Sequence, residues 1–162
     1  GMPIPEGAMK VHGITDAMVK DEPSFEKIAQ ELADLLQGHI PVAYNASFDR
    51  RFLLAEMARA GIRKNLPPAL EKEVVWIDPL VWARELQPNE NRHRLVDVCA
   101  RMSIELNDAH RAWADAEATG HVLNGLSSNP KMPTSYGDLI RYQQRYGAEQ
   151  EAQLAARRNR RR

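Results

Sequence analysis

Apolar residues along the chain recur at two different spacings. Phe25, Ile28, Leu32, Leu35 and Leu36 fall at helical intervals, with Pro23-Ser24 ahead of them and Gly38 behind, which predicts a helix. Ile40 to Tyr44 is a short apolar run and predicts a buried strand. Phe48 to Ala60 predicts a second helix with Phe52, Leu53, Met57 and Ala60 on its apolar side. Gly61 is placed to end it, because glycine accepts the left-handed turn found there. Val74 to Ile77, rich in β-branched residues, predicts a second strand. Further helices are predicted over Pro79–Leu86, Leu95–Met102 and Arg111–Leu126, the last with Ala112, Ala116, Thr119, Leu123 and Leu126 along one side. The opening to Lys20 contains Pro3, Pro5, Gly7 and Gly13 and reads as irregular. Ser127 to Pro133 reads as a linker, and Ser135 to Ala156 as a polar, helix-prone tail.

Helix, strand, helix, strand and then several helices is the order of an α/β layer with parallel strands. Two strands alone make a marginal sheet, since three or more are usually needed. The expected division is one α/β unit over residues 2–128 and a linker, tail and arginine-rich end over 129–162. One edge of the Ile40–Tyr44 strand is expected to lack a neighbour, and such an edge invites another chain. A homodimer or larger assembly is therefore expected.

Composition narrows the class. The 162 residues suffice for one core, and 43% hydrophobic with 27% charged residues is ordinary for a soluble globular protein. Cys99 is the single cysteine, so no intrachain disulfide forms and a cytoplasmic location is the default. Its apolar neighbours mark it as a core residue. No apolar run reaches the roughly 20 residues of a membrane span, so no membrane partner is expected. Net charge is zero but uneven: from Met132 onward seven Lys/Arg face three Asp/Glu, and five of the last six residues are arginine. That end is either a solvated terminus or a phosphate-attracting arm. It has no interleaved aromatic residue for base stacking.

Three segments hold candidate chemistry. In Val42-Ala43-Tyr44-Asn45-Ala46-Ser47-Phe48-Asp49 a strand runs into a turn, and Asp49 opens the next helix. A carboxylate there lies beside the positive end of the helix dipole and at the carboxyl edge of a parallel strand, where open α/β sheets place ligands. Taken alone, Asp49 is equally a first-turn acid. In Ala109-His110-Arg111-Ala112-Trp113-Ala114-Asp115, five helical steps turn about 140°, so His110 and Asp115 share a site only if His110 precedes the helix. Such a pair suits a histidine that takes a proton from water beside a metal-holding carboxylate. Asp108 reads as a loop or capping residue. Val11-His12-Gly13-Ile14-Thr15 is by itself a turn.

Together the segments resemble the DnaQ-like (DEDDh) 3′–5′ exonucleases, the domain type of the DNA polymerase III epsilon proofreading subunit. The likeness rests on His-Gly-Ile-Thr, Asn-x-x-Phe-Asp and His-x4-Asp in order, with Ile77-Asp78-Pro79-Leu80 and Leu95-Val96-Asp97-Val98-Cys99 between them. The resemblance implies a ribonuclease H-like α/β fold, here N-terminally truncated with a reduced parallel sheet and several helices. It implies hydrolysis of nucleic acid, DNA before RNA, by two divalent ions, Mg²⁺ or Mn²⁺. It assigns metal ligation to Asp49 and Asp115 and the general base to His110. Asn45 and Phe48 would lie in the substrate-binding part of the site, with Asn45 ordering the second motif. Phe48 would be a buried anchor, or equally plain core. A polymerase or other protein partner is implied.

The sequence departs from the family in two places. The family's first motif, Asp-x-Glu, belongs on a strand upstream of the His-Gly-Ile-Thr turn. Glu6, between Pro5 and Gly7, cannot replace it. Tyr44 stands where relatives often carry histidine. The expected reading is an exonuclease domain whose isolated activity is doubtful. The alternatives are an inactive nucleic-acid or partner-binding module, or an enzyme completed by another chain.

Overall fold

Proline and glycine at the start of the chain cap helices rather than prevent them. In the computed structural model, which describes residues 3–106 and 112–160, α1 spans Glu6–His12 and begins directly after Pro5. It stops at Gly13, whose φ of 69° is left-handed and whose N–H donates to the Met9 carbonyl at 2.8 Å. Thr15 then opens α2, Asp16–Val19, its hydroxyl oxygen accepting from the Met18 N–H at 3.4 Å. The irregular opening expected from the breakers is thus corrected: the breakers sit at helix ends.

Helix α3 (Phe25–Leu35) packs on α4 (Ala46–Arg59). The expected large apolar stripe of α3 is only partly the buried one. Ala29 and Ala33 are buried, flanked by Phe25, Leu32 and Leu36, while Leu35 is 66% exposed. Short side chains let two helix backbones approach, so the contact selects alanines over their larger neighbours. On α4 the expected Met57 is fully buried, but Phe52 faces outward. Leu70, from a 3₁₀ turn over Pro68–Leu70, and Trp76 complete this first core. The Trp76 indole N–H donates to the Ala69 carbonyl at 2.7 Å.

The two expected strands meet in a single parallel bridge, Val42 opposite Ile77. Ala43 N–H donates to the Ile77 carbonyl at 3.1 Å, and Ile77 N–H donates to the Pro41 carbonyl at 3.0 Å. Longer pairing is blocked at the N-terminal end of both segments. Pro41 has no N–H to offer, and Val74 N–H turns back to the Glu71 carbonyl at 3.2 Å.

Four helices form the second core: α5 (Pro79–Leu86), α6 (Leu95–Arg101), α7 (Ala112–Ser127) and α8 (Tyr136–Asn159). Helix α5 lies against both α7 and α8. Trp82, Ala83, Val98, Cys99, Val122 and Leu126 are its buried centre, so Cys99 is the core residue expected. On α7 the buried face runs through Ala114, Ala118, Val122 and Leu126 at intervals of four. Ala112 and Ala116, expected inside, are exposed. The polar tail does form a helix, and its first half is anchored by Leu139, Tyr142 and Tyr146, the last set edge-on to Trp82 with ring centroids 5.6 Å apart. Among the described residues, no helix is long and apolar enough to cross a membrane.

A buried and an exposed residue of these two helices give a direct test of this packing. Met57→Ala should lower unfolding free energy by about 2–5 kcal/mol, whereas Leu35→Ala should change it by less than about 0.5 kcal/mol. Urea denaturation of both variants checks the pair, and a comparable loss at Leu35 would contradict the packing described.

Candidate active site

The bridge leads into two helices, and one carboxylate caps both. Asp78 is buried, at 9% exposure. Its Oδ1 accepts from the Asn45 and Leu80 N–H groups, each at 3.0 Å, and its Oδ2 accepts from the Ala46 N–H at 2.9 Å. These are amides at the starts of α4 and α5, which carry unsatisfied donors and the positive ends of helix dipoles. Asn45, the residue before α4, is left-handed at φ 69°, ψ 48°, and its own side chain makes no capping bond. Asparagine tolerates this conformation better than most residues. The capping role that Asn45 leaves open is thus filled by Asp78, 33 positions later. Burial pushes the Asp78 carboxyl above the usual range, and the three amide bonds and Arg84 pull it partly back.

The sequence-predicted residues fall around this junction. Asn45, Phe48 and Asp49 lie within one turn of each other at the start of α4. Asp49 is exposed; desolvation raises its carboxyl and its own backbone N–H opposes that. Phe48 is not a buried anchor or a core residue: it is 55% exposed and stacks on the equally exposed Phe52, ring centroids 6.5 Å apart. Asp115 sits in the first turn of α7, half-buried, and its carbonyl accepts from the Thr119 hydroxyl at 2.7 Å. His110, and Asp108 beside it, lie outside the described residues.

Tyr44 ties the junction to the loop before α6. Its hydroxyl donates to the His93 carbonyl at 2.7 Å, and burial, with the nearby Asp78 charge, raises its pKa so that it stays protonated. In the His-Gly-Ile-Thr turn, the Ile14 N–H donates to His12 Nδ1 at 3.0 Å, so this imidazole braces the link between α1 and α2. As for metal, no three His, Cys, Asp or Glu side chains come together among the described residues. Two carboxylates are too few oxygens for a pair of hard divalent ions.

The Exonuclease family model matches residues 2–123, three quarters of the chain and all three motif segments. The chain belongs to the exonuclease family. Exonucleases of this DnaQ-like type are metal-dependent 3′–5′ nucleic-acid hydrolases with a ribonuclease H-like α/β fold. Among curated relatives, the PolC-type DNA polymerase III of Bacillus cereus is 36% identical over 121 residues, which are 75% of this chain and 8% of the polymerase. That of Halalkalibacterium halodurans is 37% identical over 121 residues, with the same coverage. That of Oceanobacillus iheyensis is 40% identical over 111 residues, 68% of this chain and 7% of the polymerase. The chain therefore spans less than a tenth of the length of these relatives. The exonuclease match ends before α8 begins.

Sequence reasoning left Asp78 without a role. Its signal is visible in hindsight: an acidic residue directly before a proline marks a helix start. That signal points to capping α5 and gives no hint of α4.

Asp78 gives a pH prediction. Its folded pKa is raised, so its contribution to stability is present below the ordinary aspartate value of about 4 and is lost as pH rises through the folded value. Relative to Asp78→Asn, which does not titrate, the native chain should gain stability as pH falls from 7 to below that value. Urea unfolding at both pH values measures this, and a pH-independent difference would refute it.

Proposed function

We propose that the chain is part of a DNA-directed 3′–5′ exonuclease domain, supplying the second and third motifs of a site whose remaining carboxylates lie outside the described residues. The observation that carries this is the exonuclease match across residues 2–123, which spans both motifs in order. In this reading Asp49 and Asp115 are metal ligands for Mg²⁺ or Mn²⁺, His110 is the proton acceptor, and Asn45 shapes the turn that presents Asp49. The fold is the ribonuclease H-like one with its sheet reduced to the Val42–Ile77 bridge. The polymerase names of the relatives support DNA as substrate, a polymerase as partner and a cytoplasmic location.

One observation favours a second reading, an inactive binding module: no metal-holding cluster forms among the described residues. A nuclease assay separates the two. With Mg²⁺ or Mn²⁺, the chain alone should show negligible release of nucleotides from single-stranded DNA. Joined to a segment carrying Asp-x-Glu it should gain activity, and His110→Ala and Asp115→Ala should then each lower the rate by about 10²–10⁴-fold. Asp115→Ala should also weaken metal binding, and His110→Ala should not. No gain on joining would favour the binding module.

The bridge also carries the expectation of self-association. Val42 alternates away from Ile77, and its N–H and C=O find no main-chain partner among the described residues. Ile40 and Val42 on this segment are exposed, as are Phe48 and Phe52 on α4. We place the contact of a dimer or larger assembly on this edge. Sedimentation should show concentration-dependent association that Val42→Lys weakens, and a monomer at all concentrations would overturn it.

A further inference from the structure

Helix α8 lies beyond the exonuclease match, yet a buried polar side chain from its first half reaches the junction. Gln143 is 5% exposed. Its Oε1 accepts from the Asp78 N–H at 2.8 Å, and its Nε2 donates to the Trp76 carbonyl at 2.9 Å. A parallel strand offers a neighbour this same pairing: one residue's N–H and C=O face one edge, and the flanking residues' groups face the other. Here both main-chain groups of Ile77 bond to the Pro41–Ala43 side, while the Trp76 carbonyl and the Asp78 N–H bond to Gln143 on the opposite side. The side-chain amide of Gln143 stands where the N–H and C=O of one residue of an adjoining strand would stand.

Two more side chains extend the arrangement. The Tyr136 hydroxyl donates to the Val75 carbonyl at 3.1 Å, and Gln150 Nε2 donates to the Val81 carbonyl at 3.0 Å. Positions 136, 143 and 150 are seven apart and so fall on one face of a helix. That face runs along residues 75–81, supplying polar partners at each end and at the middle.

We infer that α8 is a splint that closes the Ile77 edge, and that Gln143 is a positioning residue for the Asn45–Asp49 turn, acting through Asp78. Gln143 fixes the main chain of Asp78, and the Asp78 carboxylate fixes the first amides of α4. The role of Asp49 rests on the exonuclease reading, but the coupling does not. For that reason its test uses amide exchange rather than nuclease activity.

In the unmodified chain, the Asp78 amide should exchange slowly and show a through-hydrogen-bond coupling to the Gln143 side-chain carbonyl. In Gln143→Met, which keeps the volume and removes both bonds, the Asn45 and Ala46 amides should exchange faster by about tenfold, the size expected from one buried hydrogen bond. Their shifts should move while core amides such as Val122 keep their relative protection. Leu139→Ala, which loosens the same helix without touching the junction, should change all these amides by a common factor. The inference is overturned if the wild-type coupling is absent, or if Gln143→Met changes exchange only in step with global stability.

Discussion

The whole arrangement depends on a carboxylate that has been taken out of water. Asp78 accepts three main-chain N–H bonds, two at the start of α4 and one at the start of α5. Each of those donors would cost about 1–3 kcal/mol if buried without a partner. A single side chain thereby sets the angle between two helices that are otherwise held by separate cores, one built on Met57 and Trp76, the other on Trp82 and Val122. The two cores meet at the bridge, and Asp78 is where they are joined. The exposed Asp49 can be presented at a fixed place only because the turn beneath it cannot shift.

Packing elsewhere follows from the same economy of reach. Where helices approach closely, alanines line the contact: Ala29 and Ala33 on α3, Ala114 and Ala118 on α7. Larger side chains gather where segments of different direction leave room, as at Trp82 against Tyr146. The exceptions are Phe48 and Phe52, stacked on each other on the outside of α4, and Ile40 and Val42, exposed on the first bridge segment.

The legible parts of the sequence are those whose cause is local. Helix α5 falls over Pro79–Leu86 as the sequence predicts, and α6 differs from the reading by one residue at its end. Helices α1 and α2 were hidden because Pro5 and Gly13 look the same whether they break a helix or cap one. The buried faces of α3 and α7 were misjudged because hydropathy rewards size, while close contact rewards its absence. In the site, Asn45, Phe48 and Asp49 were readable as a motif on one turn, but the exposure of Phe48 depends on what surrounds that turn. The bonds that matter most to the junction join Asp78 to residues 33 positions before it and 65 after it. Such pairings leave no periodic trace, and the tail containing Gln143 reads as uniformly polar.

Cys99 gives the molecule an internal witness. It is the one thiol in the chain, it is sealed between α6 and the helices around it, and burial, with the Asp115 charge, keeps it protonated. A thiolate is the form that reacts, so the native molecule is close to silent toward thiol reagents and disulfide exchange. Any reaction at Cys99 must wait for the second core to open. The pace of its labelling is therefore a clock for that opening, one that needs no engineered residue and that ticks for the same core on which Asp115 is mounted.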